Sequence, residues 1–162
     1  MGYLWLGGDS WERQKGDGDN RALISLDWTP SLEVDEAADD SDKSFTVPAD
    51  TEWRILWIWV ELVTAANVGN RNMEIQIQDA AADVVGRTVA GVVQAASLTR
   101  HYLFASNATE LAAFRDTDYL STIMPEWYLP EGYIIRVWDN KAIAAAADDM
   151  VIQMMVLERT VT

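Results

Sequence analysis

The sequence predicts an all-β protein, a single antiparallel β-sandwich of the jelly-roll type with an irregular amino-terminal arm. Three observations support this fold class. Short apolar segments alternate with a period of two residues, turn signals recur about every 8 to 12 residues, and the crossover helices of a βαβ fold are missing. The chain has 162 residues, of which 49% are hydrophobic. That is enough apolar material for one core, so we expect one folded domain.

The amino-terminal part of the chain differs from the rest. We expect residues 1–44 to hold an arm, a first strand ending at Trp28 and an acidic loop, and residues 45–162 to form the sandwich. The arm is predicted because five of the nine glycines fall in the first 20 residues, where there is little periodicity. The loop is predicted because residues 33–42 carry six acids and no basic side chain.

The strongest strand signal is the run 53–63, which is apolar on both faces at period two. We assign its three tryptophans, Trp53, Trp57 and Trp59, to the core, and we expect the second apolar face to meet a neighbouring subunit. Residues 73–78 alternate apolar with polar side chains and are predicted to form a hairpin with this run. Further strands are predicted over 44–47, 84–93, 98–105, 119–124, 132–138 and 150–161, with short helical turns near 109–114 and 141–149.

Charge and composition exclude several classes of function. The chain carries 26 acidic and 12 basic side chains, for a net charge of -14, which repels nucleic acid and anionic lipid. We therefore predict no nucleic-acid partner. No apolar run approaches the roughly 20 residues of a transmembrane helix, and no export signal is visible, so we predict no membrane partner either.

No catalytic constellation stands out, and we predict a protein that is not an enzyme, with no catalytic, cofactor-binding or metal-binding residues. The chain has no cysteine and a single histidine, His101. Gly8-Asp9-Ser10 is similar to the amino-terminal nucleophile block of GDS-type esterases, but such a hydrolase needs a base at a spacing that His101 does not match.

The acidic segment leaves one alternative open, which is a calcium site. Carboxylate oxygens suit calcium, although the segment lacks the ligand spacing and the central glycine of an EF-hand loop. The side chains concerned are Asp35, Glu36, Asp39, Asp40 and Asp42.

Eight tryptophans in the chain suggest contact surfaces. Trp5, Trp11 and Trp127 stand in irregular or turn-rich segments, where an isolated monomer has little reason to place a large ring, so we predict that they lie at protein interfaces. Exposed tryptophans on a β-sandwich can also stack on sugars, and a carbohydrate-binding module is therefore an alternative from another class.

Between residues 45 and 160, several strand and turn segments follow one another in a recognisable order. They are Val47-Pro48-Ala49-Asp50, the run 53–63, Val68-Gly69-Asn70-Arg71, the alternation 73–78, Leu129-Pro130-Glu131-Gly132-Tyr133, Ile135-Arg136-Val137 and Ala145-Ala146-Ala147-Asp148-Asp149. This pattern of strands and turns resembles small jelly-roll structural proteins of tailed bacteriophages.

The resemblance implies a capsid decoration or cement protein that binds and stabilises the shell. It also implies a homotrimer, contact with the major capsid protein or other virion proteins, and location in a virion assembled in the host cytoplasm. A neck or tail component of the phage is the alternative within the same class.

Overall fold

The computed structural model describes residues 28–108, 118–141 and 143–161, and in these residues ten strands form two sheets. The larger sheet contains β1 (Thr29–Asp39), β3 (Thr51–Val63), β6 (Thr99–Ala105), β7 (Tyr119–Ile123), β8 (Tyr128–Leu129) and β10 (Asp149–Thr160). The smaller sheet contains β2 (Asp42–Thr46), β4 (Met73–Gln78), β5 (Val84–Val89) and β9 (Ile134–Asp139). None of the described segments forms a helix of the length and apolarity needed to cross a membrane.

The strand order is that of a jelly roll, so the predicted fold class is confirmed. The larger sheet runs β1-β10-β3-β6-β7, with β8 beside one end of β3, and the smaller sheet runs β2-β9-β4-β5. Apart from the β4–β5 hairpin and the β7 and β8 additions, each connection carries the chain from one sheet to the other. The first and last strands of the sandwich therefore lie side by side, as β1 and β10.

The core lies between the sheets and is filled by the inward positions of the central strands. In β10, for example, buried and half-buried residues alternate from Asp149 to Val156. Such alternation is the physical result of a strand with one face against the core. The largest fully buried apolar side chains include Tyr102, Phe104, Ile55, Ile58, Leu62 and Met73.

One β-bulge decides which way the side chains of β3 point. Ile55 lies opposite Val156 and Trp57 lies opposite Met155, so Leu56 is an extra residue in β3. A bulge shifts the alternation by one position. The inward set is therefore Trp53 and Ile55 before the bulge, and Ile58, Val60 and Leu62 after it.

Two of the three tryptophans assigned to the core are placed elsewhere by this bulge. Trp53 is buried, as predicted. Trp57 and Trp59 are only half-buried and lie on the outer face of the larger sheet, so their assignment to the core was wrong.

The acidic segment 33–42 is not a loop, and this prediction was wrong. Most of it belongs to β1, which pairs with β10, and the sheets begin at residue 29 rather than at residue 45. The buried Lys43 compensates the acids, with its Nζ 2.8 Å from Asp35 and 3.1 Å from Asp39. Lys43 also donates to the carbonyl of Ala37, so the carboxyl-terminal end of β1 is held to β2.

The remaining predictions about local structure have different outcomes. β3 and β4 belong to different sheets and form no hairpin. β7 runs parallel to β6, which departs from a purely antiparallel sheet. The short helical turn predicted near 141–149 is confirmed as a 3-10 turn at Ala145–Ala147, although Asp149 already starts β10. The predicted turn at 109–114 and most of the first strand lie outside the described residues.

A buried ion pair holds three connections together at one end of the sandwich. The guanidinium of Arg71 donates to both carboxylate oxygens of Asp148, at 2.8 and 3.0 Å, and both side chains are fully buried. Arg71 also donates to the carbonyls of Asn67 and Gly69, and its backbone forms an isolated bridge with Gln94. The β3–β4, β5–β6 and β9–β10 connections thus meet around one guanidinium.

The buried side chain of Gln94 links this end to the core. Its amide nitrogen donates to the carbonyls of Leu62 and Leu98, and its oxygen accepts from the hydroxyl of Tyr102 at 3.0 Å. Burial of Tyr102 raises the pKa of its hydroxyl to about 12. The neutral phenol is therefore the form that the folded protein favours.

Replacing Asp148 by Ala should lower the free energy of unfolding by about 3 to 5 kcal/mol, because it leaves the Arg71 guanidinium buried without its carboxylate. Urea unfolding followed by circular dichroism measures this change. As a control, Asp42→Ala at the partly exposed Arg136–Asp42 pair should cost below about 1 kcal/mol. The double variant Arg71→Met, Asp148→Leu should be milder than Asp148→Ala. Equal costs for Asp148→Ala and Asp42→Ala would contradict this role.

Stability should fall as pH rises from about 10 to about 12. Tyr102 ionises near pH 10 in the unfolded chain but only near 12 in the folded one. Its contribution is complete below pH 10 and is lost above it, by up to about 2 to 3 kcal/mol. Urea unfolding at stepwise pH should show a smaller fall for Tyr102→Phe, whereas Tyr128→Phe, at an exposed tyrosine, should keep it. A full-sized fall in Tyr102→Phe would assign the effect to other groups.

Candidate interaction surface

The outer face of the smaller sheet is covered by an ordered polar network. Glu74 is buried there and accepts from the amide of Asn140 at 2.8 Å and from Arg87 at 3.2 Å. Gln76 donates to Glu74, and Gln78 donates to Gln76 at 2.9 Å, so a chain of hydrogen bonds runs along β4. Glu74, Gln76, Gln78, Asn140 and Arg87 are thus joined by hydrogen bonds within the chain, although the side-chain oxygen of Asn140 has no partner.

Neighbouring strands extend this polar face. Arg136 on β9 forms a two-bond ion pair with Asp42 on β2. The Arg136 guanidinium also lies 3.9 Å from the ring centroid of Trp138, which makes a cation–π contact. The charges of Arg136 and Asp42 thus pair with each other, and the ring of Trp138 packs on the guanidinium while its indole nitrogen has no hydrogen-bond partner.

The outer face of the larger sheet has the opposite character. Apart from Glu61, Gln153, Ser121 on the edge strand and a rim of charged or polar residues, its positions are apolar or aromatic. We call this surface the aromatic face and define it by Leu32, Val34, Trp57, Trp59, His101, Leu103, Tyr119, Ile123 and Met155. Leu103 is 38% exposed, Tyr119 52% and Ile123 68%, so this apolar surface is open to solvent in the described structure. A contiguous apolar sheet face is typical of a surface that is covered in the working state.

Three stacked rings cross the aromatic face from β3 to β7. The ring centroids of Trp59 and His101 are 5.7 Å apart, and those of His101 and Tyr119 are 4.4 Å apart, with interplanar angles of 19° and 17°. Both faces of the His101 ring are therefore covered, and its Nδ1 lies 3.5 Å from a carboxylate oxygen of Glu61. The stack fixes the side chains of three strands in one row.

Two shallow depressions lie beside this stack. One, of about 560 Å³, is lined by Trp57, Trp59, Leu103, Ala105 and Gln153. The second, of about 710 Å³, extends from Trp57 and Leu103 towards the end of the sheet where β8 pairs with β3, and Arg54 and Glu126 also line it. Leu103 and Trp57 line both, so they stand at the centre of the aromatic face.

At the end of the larger sheet where β8 pairs with β3, the rim of the aromatic face combines aromatic and charged side chains. The guanidinium of Arg159 lies 4.7 Å from the ring centroid of Trp28, and Arg54 lies 5.4 Å from that of Tyr128. The rings of Trp28 and Tyr128 meet edge to face at 6.2 Å. An acidic partner neutralises each arginine, since Arg159 pairs with Glu52 and Arg54 pairs with Glu126. An apolar centre with a polar rim is the usual composition of a protein interface.

The described residues provide no metal-binding cluster. Within 28–108, 118–141 and 143–161, no three His, Asp or Glu side chains converge so that they could hold a metal ion. In the acidic segment, the ammonium group of Lys43 lies where Asp35 and Asp39 come together. His101 is packed between two rings and lies beside Glu61.

The predicted interface tryptophans have different outcomes. Trp127 is half-buried and packs against the core. Its ring lies close to Gly86, because a Cβ atom at position 86 would be 3.3 Å from the Trp127 Nε1. Its ring therefore contributes to its own fold, and its contact with a partner stays a prediction. Trp5 and Trp11 lie outside the described residues.

Sequence reasoning missed most residues of the aromatic face, although one signal pointed to it. The run 53–63 is apolar on both faces, and Leu103 lies opposite Trp59 on the neighbouring strand. Two adjacent strands that are apolar on both faces indicate a sheet whose outer side is covered by another surface. What the sequence does not reveal is the bulge at Leu56, which brings Trp57 and Trp59 to the outer side.

No family model matches the chain, and no curated protein matches it. Among solved structures, the chain is similar to dimeric latent PorU from Porphyromonas gingivalis, with a TM-score of 0.40 and 10% identity over 87% of this chain and 14% of that one. It is also similar to PfGH50B, with a TM-score of 0.32 and 12% identity over 85% and 23% of the two chains. The structure of the infectious bursal disease virus Gx strain matches with a TM-score of 0.32 and 10% identity over 100% and 42%. The chain thus spans less than half the length of each, and likeness at this level carries no information about function.

Replacing Tyr119 by Ala should lower the free energy of unfolding by about 1 kcal/mol, because it removes the outer ring of the stack. Ile123→Ala on the same edge strand is the matched control. Ile123 is more exposed and belongs to no ring pair, so its loss should cost less than about 0.5 kcal/mol. Urea unfolding distinguishes the two variants, and equal effects would show that the stack adds nothing to burial.

Proposed function

We propose that this chain is a structural protein of a tailed-phage virion, a decoration or cement protein that binds and stabilises the capsid shell. The observation that carries the proposal is the aromatic face, an apolar sheet surface on a jelly roll whose other sheet presents polar side chains that hydrogen-bond to one another. A protein whose task is to adhere to a larger assembly needs one surface of this kind and a stable body behind it. In this proposal the chain is not an enzyme and assembles into the virion in the host cytoplasm.

The partners follow from the same proposal. Copies of the chain meet as a homotrimer on the shell, and the aromatic face contacts the major capsid protein or a neighbouring virion protein. Leu103 and Trp57 are the anchor positions, because they line both depressions at the centre of the face. Central, desolvated apolar and aromatic side chains supply most of the binding free energy of protein interfaces.

A carbohydrate-binding module is the second candidate, favoured by the depression between Trp57 and Gln153. Sugar recognition by stacking needs a ring face that is open to the ligand. His101 has both ring faces covered, and Trp59 and Tyr119 each lose one face to it. The stacked rings present their edges to the partner instead, which suits a protein surface better than a sugar ring.

Sedimentation with particles tests the proposal. The full chain is mixed with capsids that lack it and pelleted, and the decorated capsids are imaged. Leu103→Asp should reduce the pelleted amount at least tenfold, because it places a charge at the centre of the aromatic face. Val85→Asp is the matched control, since Val85 is 57% exposed on the edge of the smaller sheet, and it should bind as the unchanged chain does.

The outcomes separate the candidates. Groups of three copies on the shell support a decoration protein, whereas density restricted to the neck or tail supports the alternative within the same class. Equal binding by Leu103→Asp and Val85→Asp would overturn the role of the aromatic face. Binding of one glycan class on an array, together with no binding to particles, would overturn the virion proposal in favour of the carbohydrate module.

A further inference from the structure

We propose that the chain's own amino-terminal segment, with Tyr3-Leu4-Trp5-Leu6 as its anchor, covers the aromatic face before the protein assembles. This names an occupant for a sheet face that nothing in the described residues covers. Three features of the chain support it, namely the position of the first described residue, the length of chain that precedes this residue, and the composition of that length.

Trp28, the first described residue, has its ring on the outer side of the larger sheet. Trp53 and Ile55 point into the core, so Arg54 between them points outwards, as does its strand partner Tyr128. The ring of Trp28 contacts Tyr128 and lies against the outward guanidinium of Arg159. Trp28 directly precedes the edge strand β1, and its ring contacts Arg159 of β10 and Tyr128 of β8. The point from which the preceding segment starts is thus next to the outer side of the larger sheet.

The cluster around Trp28 also adjoins the second depression. Arg54 contacts the Tyr128 ring and at the same time lines the depression that contains Trp57 and Leu103. A chain that leaves from Trp28 along the outer face meets this depression directly.

The length of the preceding segment is sufficient. At about 3.3 Å per residue, the 20 or so residues between Leu6 and Trp28 span up to about 70 Å. Crossing the sheet from β1 to β7 takes four strand spacings, or about 19 Å. The excess length lets the anchor reach any point of the face, and the glycines at positions 7, 8, 16 and 18 allow the chain to turn back on itself.

The composition of the segment fits the surface. Residues 3–6 are four consecutive apolar or aromatic side chains, followed by Gly7, and Trp11 adds a fifth large group. Each aromatic side chain buries about 150 to 250 Å² when it packs against an apolar surface. The depression between Trp57 and Gln153 is mainly apolar, and the two charged side chains that line the second one, Arg54 and Glu126, pair with each other. The face can therefore receive these groups without burying an unpaired charge.

A covered face has a consequence for assembly, which rests on the function proposed above. The free chain would stay unassociated, because its binding surface is occupied by a tethered segment of its own. A capsid surface would then compete with the segment for Trp57 and Leu103 and release it for contacts with neighbouring virion proteins. The covering itself is independent of that function and can be tested on the isolated chain.

Disulfide trapping in the full chain tests the covering. The chain has no cysteine, so every pair can be placed in a clean background. The test variant carries Leu4→Cys and Leu103→Cys, and the control carries Leu4→Cys and Val85→Cys, whose second site is exposed on the other sheet. Under mild oxidation at low micromolar concentration, the test pair should form an intramolecular disulfide several-fold faster than the control, seen as a faster-migrating monomer on a non-reducing gel.

Two results would overturn the proposal. Equal rates for both pairs would mean that the segment has no preference for the aromatic face. A disulfide-linked dimer as the main product would place the segment on a neighbouring copy.

A second measurement avoids cysteine altogether. The chain lacking residues 1–21 should bind an apolar dye such as anilinonaphthalene sulfonate at least twofold more than the full chain, and Leu103→Asp in the shortened chain should remove the increase. Unchanged dye binding in the folded shortened chain would likewise contradict the covering. Particle binding enters neither test, so failure of the covering and failure of the virion function can be told apart.

Discussion

The single extra residue in β3 determines what each side of the larger sheet offers. Because Leu56 is accommodated as a bulge, the strand keeps Trp53 and Ile55 in the core at one end and Ile58, Val60 and Leu62 in the core at the other. Without the bulge, one half of this central strand would turn its inward side chains to the outer face. The core, the aromatic stack and both depressions all depend on that local adjustment of the backbone.

Sequence periodicity was sufficient for the fold class because alternation is a local property. The positions of most strands from residue 45 onwards followed from it. Strand pairing is not local, so the sequence could not show that the predicted hairpin between residues 53–63 and 73–78 is absent. The run 53–63 pairs with β10 and β6, whereas residues 73–78 pair with β5 and β9. The acidic segment was misread for the same reason. Its compensating cation, Lys43, lies just beyond it, and its strand partner, β10, lies more than 100 residues later.

The candidate site was less predictable than the fold. The sequence marked strand 53–63 as apolar on both faces but could not assign faces to Trp57 and Trp59, since nothing in the residues themselves announces a bulge at Leu56. The resemblance to phage proteins drew on segments such as Val68-Gly69-Asn70-Arg71 and Ala145-Ala146-Ala147-Asp148-Asp149. In the structure these two segments meet through the Arg71–Asp148 pair. Two turn segments that are far apart in the sequence are thus joined by a buried ion pair.

The adjacency of the first and last strands of the sandwich has a mechanical consequence. Thr29 lies opposite Glu158, so the start of β1 and the end of β10 are at the same end of the sheet. A force that pulls the amino-terminal segment away from the carboxyl-terminal strand would load the β1–β10 hydrogen bonds one after another rather than all at once. Such peeling needs less force than shearing. If a neighbouring molecule draws on that segment, β1 would detach first, while the connections gathered around Arg71 at the far end would carry little of the load.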